Sequence, residues 1–182
     1  METFNVPTRE EVSEQNKAIF DNLKNALGFV PNLYATMAHS ENALGNYLQL
    51  QQGKTSFSNK EKEVINLVVS QGNECSYCQS AHTAISKMNG FTDEQILELR
   101  SGKASFNEKF DALVKLASEV NLNRGKVDAE LVENFYSAGY TKGHLVDLVV
   151  AVADKVVMNY LHNLTQIPVD FPAAPALESV EA

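Results

Sequence analysis

Residues 73–82 read "NECSYCQSAH" and hold both cysteines of the chain and one of its four histidines. The stretch is a junction between two helical patterns. Upstream, "SNKE" at 58–61 fits a capping box in which Ser58 and Glu61 satisfy each other's free amides, opening a helix that carries Val64, Ile65, Leu67 and Val68. Gly72 and Asn73 break that helix just ahead of the cysteines. Downstream, a second helix runs to about Asn89 and stops at Gly90.

Working outward, the same grammar continues. From Arg9 to Leu27, apolar Val12, Ile19, Phe20, Leu23 and Leu27 recur at helical spacing, and Gly28 suits the position just past the end. Pro31 can open a short helix, and Ser40 is a candidate cap for the next, through Leu44, Tyr47, Leu48 and Leu50. "TDEQ" at 92–95 and "SFNE" at 105–108 repeat the capping-box pattern, and Asp128 and Thr141 read as caps of the last two helices. No alternation of period two is present. The tail "QIPVDFPAAPALESVEA", 166–182, reads as extended, with three of the five prolines. The expectation is an all-α bundle of about eight helices in one domain over 1–182. "FSNKEKEVINLVVS" and "YTKGHLVDLVVAVA" share an aromatic, a hydroxyl cap and an "LVV" helix. That order is open to reading as an internal pseudo-repeat, although two capped amphipathic helices would resemble each other anyway.

Composition bounds the function. At 182 residues the chain is long enough to bury a core without crosslinks. Its formal net charge of −8, from 15 basic and 23 acidic residues, opposes nucleic-acid binding, which needs a basic stripe, and opposes docking on an anionic membrane. The acidic start "METFNVPTREEVSEQ" does not read as a secretory signal. The most apolar run, "LVDLVVAVADKVVM", is interrupted by Asp147, Asp154 and Lys155 and is too short to span a bilayer. A cytoplasmic location is expected, where a close cysteine pair is catalytic or metal-binding more often than structural.

At about 100° per residue, Cys78 lies roughly 60° around the helix from Cys75, and His82 roughly 20°, so all three share a face. A helix N-terminus stabilises a thiolate, and His82 can take a thiol proton directly or through water. Three readings compete. A structural crosslink is weakest, because a two-residue loop removes little unfolded-state entropy. Zinc is a better rival, since two cysteines and a histidine are three good ligands, but a structural site needs a fourth. The remaining histidines, His39, His144 and His162, are scattered. Thiol redox chemistry leads.

"ECSYCQSAH" resembles the active-site helix of alkylhydroperoxidase AhpD-like proteins, within the carboxymuconolactone decarboxylase superfamily. Their pattern places a glutamate on the preceding helix, a CxxC pair, and a histidine four residues after the second cysteine. Here those positions are Glu63, Cys75, Cys78 and His82. The resemblance extends through "ALGFVPNLYATMAHS" and "AGYTKGHLVDLVVAVADKVVMNYLHNLTQIPVD". It implies a peroxidase with no haem, flavin or metal cofactor. Cys78 would attack the peroxide and become a sulfenic acid, and a solvent-facing Cys75 would resolve it as a disulfide. Glu63 and His82 would relay protons, with a water between His82 and the thiol. The implied partners are an alkyl hydroperoxide, a dithiol reductant such as a lipoylated or thioredoxin-like protein, and further copies of the chain in a trimer or hexamer.

One departure stands out. The best-known members carry a second histidine just before the second cysteine, where this chain has Tyr77, which can donate a hydrogen bond but is no base near neutral pH. The helix-terminus argument also favours Cys75, nearer the free amides, as the lower-pKa thiol. His162 is a secondary candidate that would near the site if the halves pack as pseudo-repeats. His39 reads as a capping or packing residue. The alternatives are a lyase of the carboxymuconolactone decarboxylase type, or a non-catalytic redox-sensing or zinc-binding module.

Overall fold

The computed structural model describes residues 4–177, and every regular element among them is helical. After a single 3-10 turn at Arg9–Glu11 come α1 (Glu14–Leu27), α2 (Asn32–Met37), α3 (Ala43–Gln51), α4 (Asn59–Gly72) and α5 (Ser76–Met88). They are followed by α6 (Asp93–Arg100), α7 (Glu108–Leu122), α8 (Ala129–Ser137) and α9 (Lys142–Thr165). Residues 166–177 continue without helix, and the rest of the expected extended tail, 178–182, lies outside the described residues. No helix among them is long and apolar enough to cross a membrane.

Central α4 starts from the expected capping box, with Ser58 accepting from the Glu61 amide and Glu61 from the Ser58 amide. It buries Val64, Ile65, Leu67, Val68 and Val69, and packs against α5, α7 and α9. Such all-round burial is the mark of a core helix. A larger apolar cluster joins α4 to α6, α7, α8 and α9 around Leu113, Leu116, Phe135 and Leu148. A smaller one joins α1, α2 and α3 to the start of α5 and to Met158 of α9, and it includes both cysteines. Helices α4, α5 and α9 meet where the two clusters adjoin. The two segments of the suspected repeat also meet: α4 packs on α9, and the Phe57 and Tyr140 rings ahead of their caps stand edge to face at 6.1 Å.

Several local boundaries differ from expectation. The first helix does not run unbroken from Arg9: Ser13 caps α1 by accepting from the Asn16 amide, and Val12 is buried in the link. In "SFNE" the cap is Asn107, which accepts from the Phe110 amide, because the Ser105 amide is turned to Glu98. Ser40 accepts from the Ala43 amide, but the residue flanking α3 is Asn42. Asp128 precedes α8 without a side-chain cap bond. Thr141 caps α9 as expected, its partner at the third position being His144. At α1 and α7 the cap falls on a neighbouring polar side chain that satisfies a free amide.

Candidate active site

The turn from α4 to α5 sets the cysteines. Glu74 takes a left-handed conformation, with φ of 53°, uncommon for a residue other than glycine. It reverses the chain so that Cys75 becomes the N-cap of α5. Asn73 holds the turn against α9, donating to Asn159 Oδ1 at 2.9 Å while its carbonyl accepts from Asn163 at 2.7 Å.

An N-cap side chain folds back over the first turn, and Cys75 Sγ accepts the Cys78 amide at 3.2 Å. This corrects the expectation of a solvent-facing Cys75: it is 0% exposed, beneath the turn. Cys78, 3% exposed, lines a cavity of about 480 Å³ between α2, α3, α4, α5, α9 and the tail. Leu33, Tyr34, Tyr47, Ile85, Met158 and Phe171 make its wall largely apolar, and Glu63, His82, Asp154 and Lys155 add charged or polar groups.

Behind Cys78 runs a buried chain of polar groups. Glu63 Oε2 lies 2.8 Å from His82 Nδ1 and also accepts from Ser86, while Oε1 accepts from Asn66 at 3.0 Å. Lys155 Nζ, 3% exposed, sits 2.7 Å from His82 Nε2. A lysine ammonium has only donors, so Nε2 accepts and the ring proton rests on Nδ1, directed at Glu63. Both ring nitrogens are thus engaged, Nδ1 by Glu63 and Nε2 by Lys155, where the family resemblance implied a water between His82 and the thiol.

Burial, then the Lys155 charge, hold His82 below its usual pKa despite the pull of Glu63. Burial pushes Glu63 up, but His82, Asn66 and Lys155 outweigh it and hold the carboxyl below its ordinary value. The thiols separate in the opposite sense to the helix-terminus argument. Cys78 is lowered by a hydrogen bond from Cys75, with burial opposing and the Lys155 charge and Asn159 assisting. Cys75 is raised, first by that same hydrogen bond to Cys78 and then by burial. Proximity to free amides is outweighed by which thiol donates the hydrogen bond to the other.

The four expected site residues, Glu63, Cys75, Cys78 and His82, therefore converge. Tyr77 also lines the cavity, donating to Asp170 at 2.6 Å and accepting from the Leu33 amide at 3.3 Å. Burial pushes its hydroxyl up, so it stays a donor. His162 comes within 5.4 Å of the Tyr77 ring, but its Nε2 is paired with the Ile167 carbonyl and it lines no part of the cavity. His39 Nε2 bonds the Asn5 carbonyl at 2.9 Å. Sequence reasoning missed Lys155 and Asn159, both on the buried face of α9. A lone lysine inside "LVVAVADKVVM" was the available signal. Among the described residues, no group of three or more His, Cys, Asp or Glu is arranged to hold a metal ion.

Residues 36–119 match the model of the carboxymuconolactone decarboxylase family. The chain shares its fold with the alkylhydroperoxidase AhpD core of an uncharacterised peroxidase-related protein from Ralstonia eutropha JMP134, at 20% identity and a TM-score of 0.83 over 92% of this chain and 91% of that one. A peroxidase-related protein from Silicibacter sp. TM1040 gives 18% identity and a TM-score of 0.79, covering 96% and 94%. The debrominase Bmp8, as a cysteine-to-alanine variant in complex with 2,3,4-tribromopyrrole, gives 16% identity and 0.76, covering 93% and 92%. At these identities the likeness is one of fold. No curated protein matches the chain. The family match spans the cysteine helix and the backbone follows the AhpD core: the chain carries a segment similar to the carboxymuconolactone decarboxylase family within an AhpD-core-like fold.

Proposed function

We propose that the chain is a thiol peroxidase that reduces organic hydroperoxides through Cys78 and Cys75. The observation that carries this reading is Cys78 in the wall of a largely apolar cavity, its thiol held low beside a buried partner thiol. The Cys78 thiolate attacks one peroxide oxygen, the O–O bond breaks, and the alcohol leaves with a proton. Two electrons pass from sulfur, which becomes a sulfenic acid. The Cys75 thiol then displaces water to form the Cys75–Cys78 disulfide. A dithiol donor, a lipoylated or thioredoxin-like protein, restores both thiols by exchange. Glu63 and His82 orient the buried polar chain that ends at Lys155, and Tyr77 with Asp170 holds the cavity wall.

The test is intact mass of freshly reduced protein after one equivalent of an organic hydroperoxide. The expected result is rapid loss of two hydrogens, reversed by a dithiol. Cys78→Ser should abolish peroxide consumption, and Cys75→Ser should stop at a trapped sulfenic acid. Turnover persisting in Cys78→Ser would sink the assignment. Lyase chemistry of the kind for which the family is named would leave the thiol pair idle, and its sign would be turnover surviving loss of both cysteines.

A second reading rests on the aromatic lining, where Tyr34, Tyr47, Tyr77 and Phe171 surround Cys78. Reductive removal of bromine from an aromatic ring would use the same thiols, yielding the arene, hydrogen bromide and the disulfide. Bromide release from a brominated pyrrole, with no reaction towards hydroperoxides, would favour it.

A further inference from the structure

Lys155 is a buried cation whose contact partner is a neutral ring. Among the described residues, no carboxylate lies within ion-pair distance of its Nζ, which instead meets His82 Nε2 at 2.7 Å. Burying an ammonium without a contact carboxylate is unfavourable, and the imbalance is relieved when an anion appears beside it. The titratable groups that line the cavity with it are Tyr77, Cys78 and His82 from α5, Lys62 and Glu63 from α4, Tyr34 from α2, Tyr47 from α3, and neighbouring Asp154 from α9. Glu63 is occupied by His82, Asn66 and Ser86. The anions that arise in the cavity itself are the Cys78 thiolate and whatever it expels.

We infer that the Lys155 ammonium, positioned by His82 and Glu63, is the cation paired with the Cys78 thiolate and the acid that protonates the departing alkoxide. The inference rests on the peroxidase reading for its second half only. In the resting site Cys78 is a thiolate and Lys155 an ammonium. Attack transfers hydroxyl oxygen to sulfur, and the alkoxide takes a proton from Lys155, leaving an amine and an alcohol. Closure of the disulfide by the Cys75 thiol releases water with no net change in protons. Reduction by a dithiol delivers two protons, one to Cys75 and one to the Lys155 amine. The cycle closes in atoms, electrons and protons. His82, with its lone pair on Nζ and its N–H on Glu63, is a positioning residue in this scheme. The effect of the Lys155 charge in lowering Cys78 supports the same pairing.

The experiment separates the two halves. In a Cys75→Ser background, the rate of Cys78 alkylation by iodoacetamide is followed against pH, which needs no peroxide. Lys155→Met should move the midpoint upward, slowing alkylation near neutral pH by about tenfold or more, whereas Lys155→Arg should hold the midpoint. Where Lys155→Met fails to fold, Lys155→Gln replaces it, since an amide still donates to His82 without charge. In single turnovers with an organic hydroperoxide, the uncharged variants should lose a further ~100-fold, the size of a general-acid contribution. An unchanged midpoint in Lys155→Met or Lys155→Gln, or an equal shift in Lys155→Arg, overturns the pairing. A shifted midpoint in a protein inert to every hydroperoxide upholds the pairing while the peroxidase reading fails.

Discussion

Cys75 and Cys78 are chemically identical residues one helical turn apart, and their surroundings divide the labour between them. Cys75 is sealed beneath the turn and keeps its proton, donating a hydrogen bond to Cys78, which stands at the cavity wall. The largest influence lowering Cys78 is that hydrogen bond, so a substitution that removes the donor should be distinguishable from one that keeps it. Cys75→Ala is expected to move the Cys78 titration upward, while Cys75→Ser, whose hydroxyl still donates, moves it less. The sign follows from deprotonation: a lower thiol pKa means more thiolate at neutral pH, and alkylation that levels off well below pH 9.0, the ordinary thiol value. Identical profiles in the two variants would remove the hydrogen bond from the account. At this scale the sequence was largely readable. The spacing of Glu63, Cys75, Cys78 and His82 survived into geometry, because Cys78 and His82 lie one turn apart on α5, Cys75 caps that helix and Glu63 stands on the adjoining one. The exposure of Cys75 was not readable, because an N-cap and a first-turn residue differ by one position in sequence and by the whole direction of the side chain.

The helices are specified by their ends. Ser58 and Glu61 bracket the start of α4, and Glu61 also pairs with Lys109 of α7 at 2.9 Å. Burial pushes Glu61 up, but the Ser58 hydrogen bonds and Lys109 outweigh it and lower its carboxyl from 4.5 to about 2. A folded value below the unfolded one contributes stability that is present above pH 4.5 and lost as pH falls through about 2. Glu61→Gln lacks that dependence. Its thermal midpoint should trail the parent's near neutral pH, and the gap should close on acidification across that window. Ser58→Ala should cost about 1 kcal/mol, a fall in Tm of roughly 2–4 °C for a chain of this length. A gap that stays constant with pH would remove Glu61 from the acid response. Capping boxes at 58–61 and 92–95 were legible because both partners lie within four residues, and Thr141 was legible as a cap. "SFNE" misled because Ser105 and Asn107 are both competent caps, and contact with Glu98 on α6 decides between them.

Across the whole molecule, α9 serves two environments. Its inner face buries Leu148, Val152, Lys155, Met158 and Asn159, while Val146, Val149, Val150, Val157, Tyr160 and Leu164 stand exposed at helical spacing on the outer one. An apolar stripe of that length on a surface helix is a site of association, and we propose that further copies of the chain cover it. Val149→Asp is expected to shift the sedimentation of the protein to that of a 20.1 kDa monomer while leaving Cys78 reactive. A parent protein that already sediments as a monomer, or an assembly that the substitution leaves unaltered, would overturn the association through this face. The tail completes the opposite side of the cavity. Asp170 accepts from Tyr77 and the Asn32 amide, Ser80 from the Ala174 amide, and Pro175 from Arg100, which seats Phe171 in the wall.

The sequence by itself determined the all-helical class, the break at Gly72–Asn73 and the closeness of Cys75, Cys78 and His82, since each rests on residues close in the chain, while Glu63 entered through the family resemblance. The tertiary structure alone decided that Lys155 meets His82, 73 positions away, that Cys78 and not Cys75 is the lowered thiol, and that the tail closes the cavity. Those outcomes depend on which faces of α4, α5 and α9 pack together. Packing compares contacts across the whole chain, and no local pattern encodes that comparison.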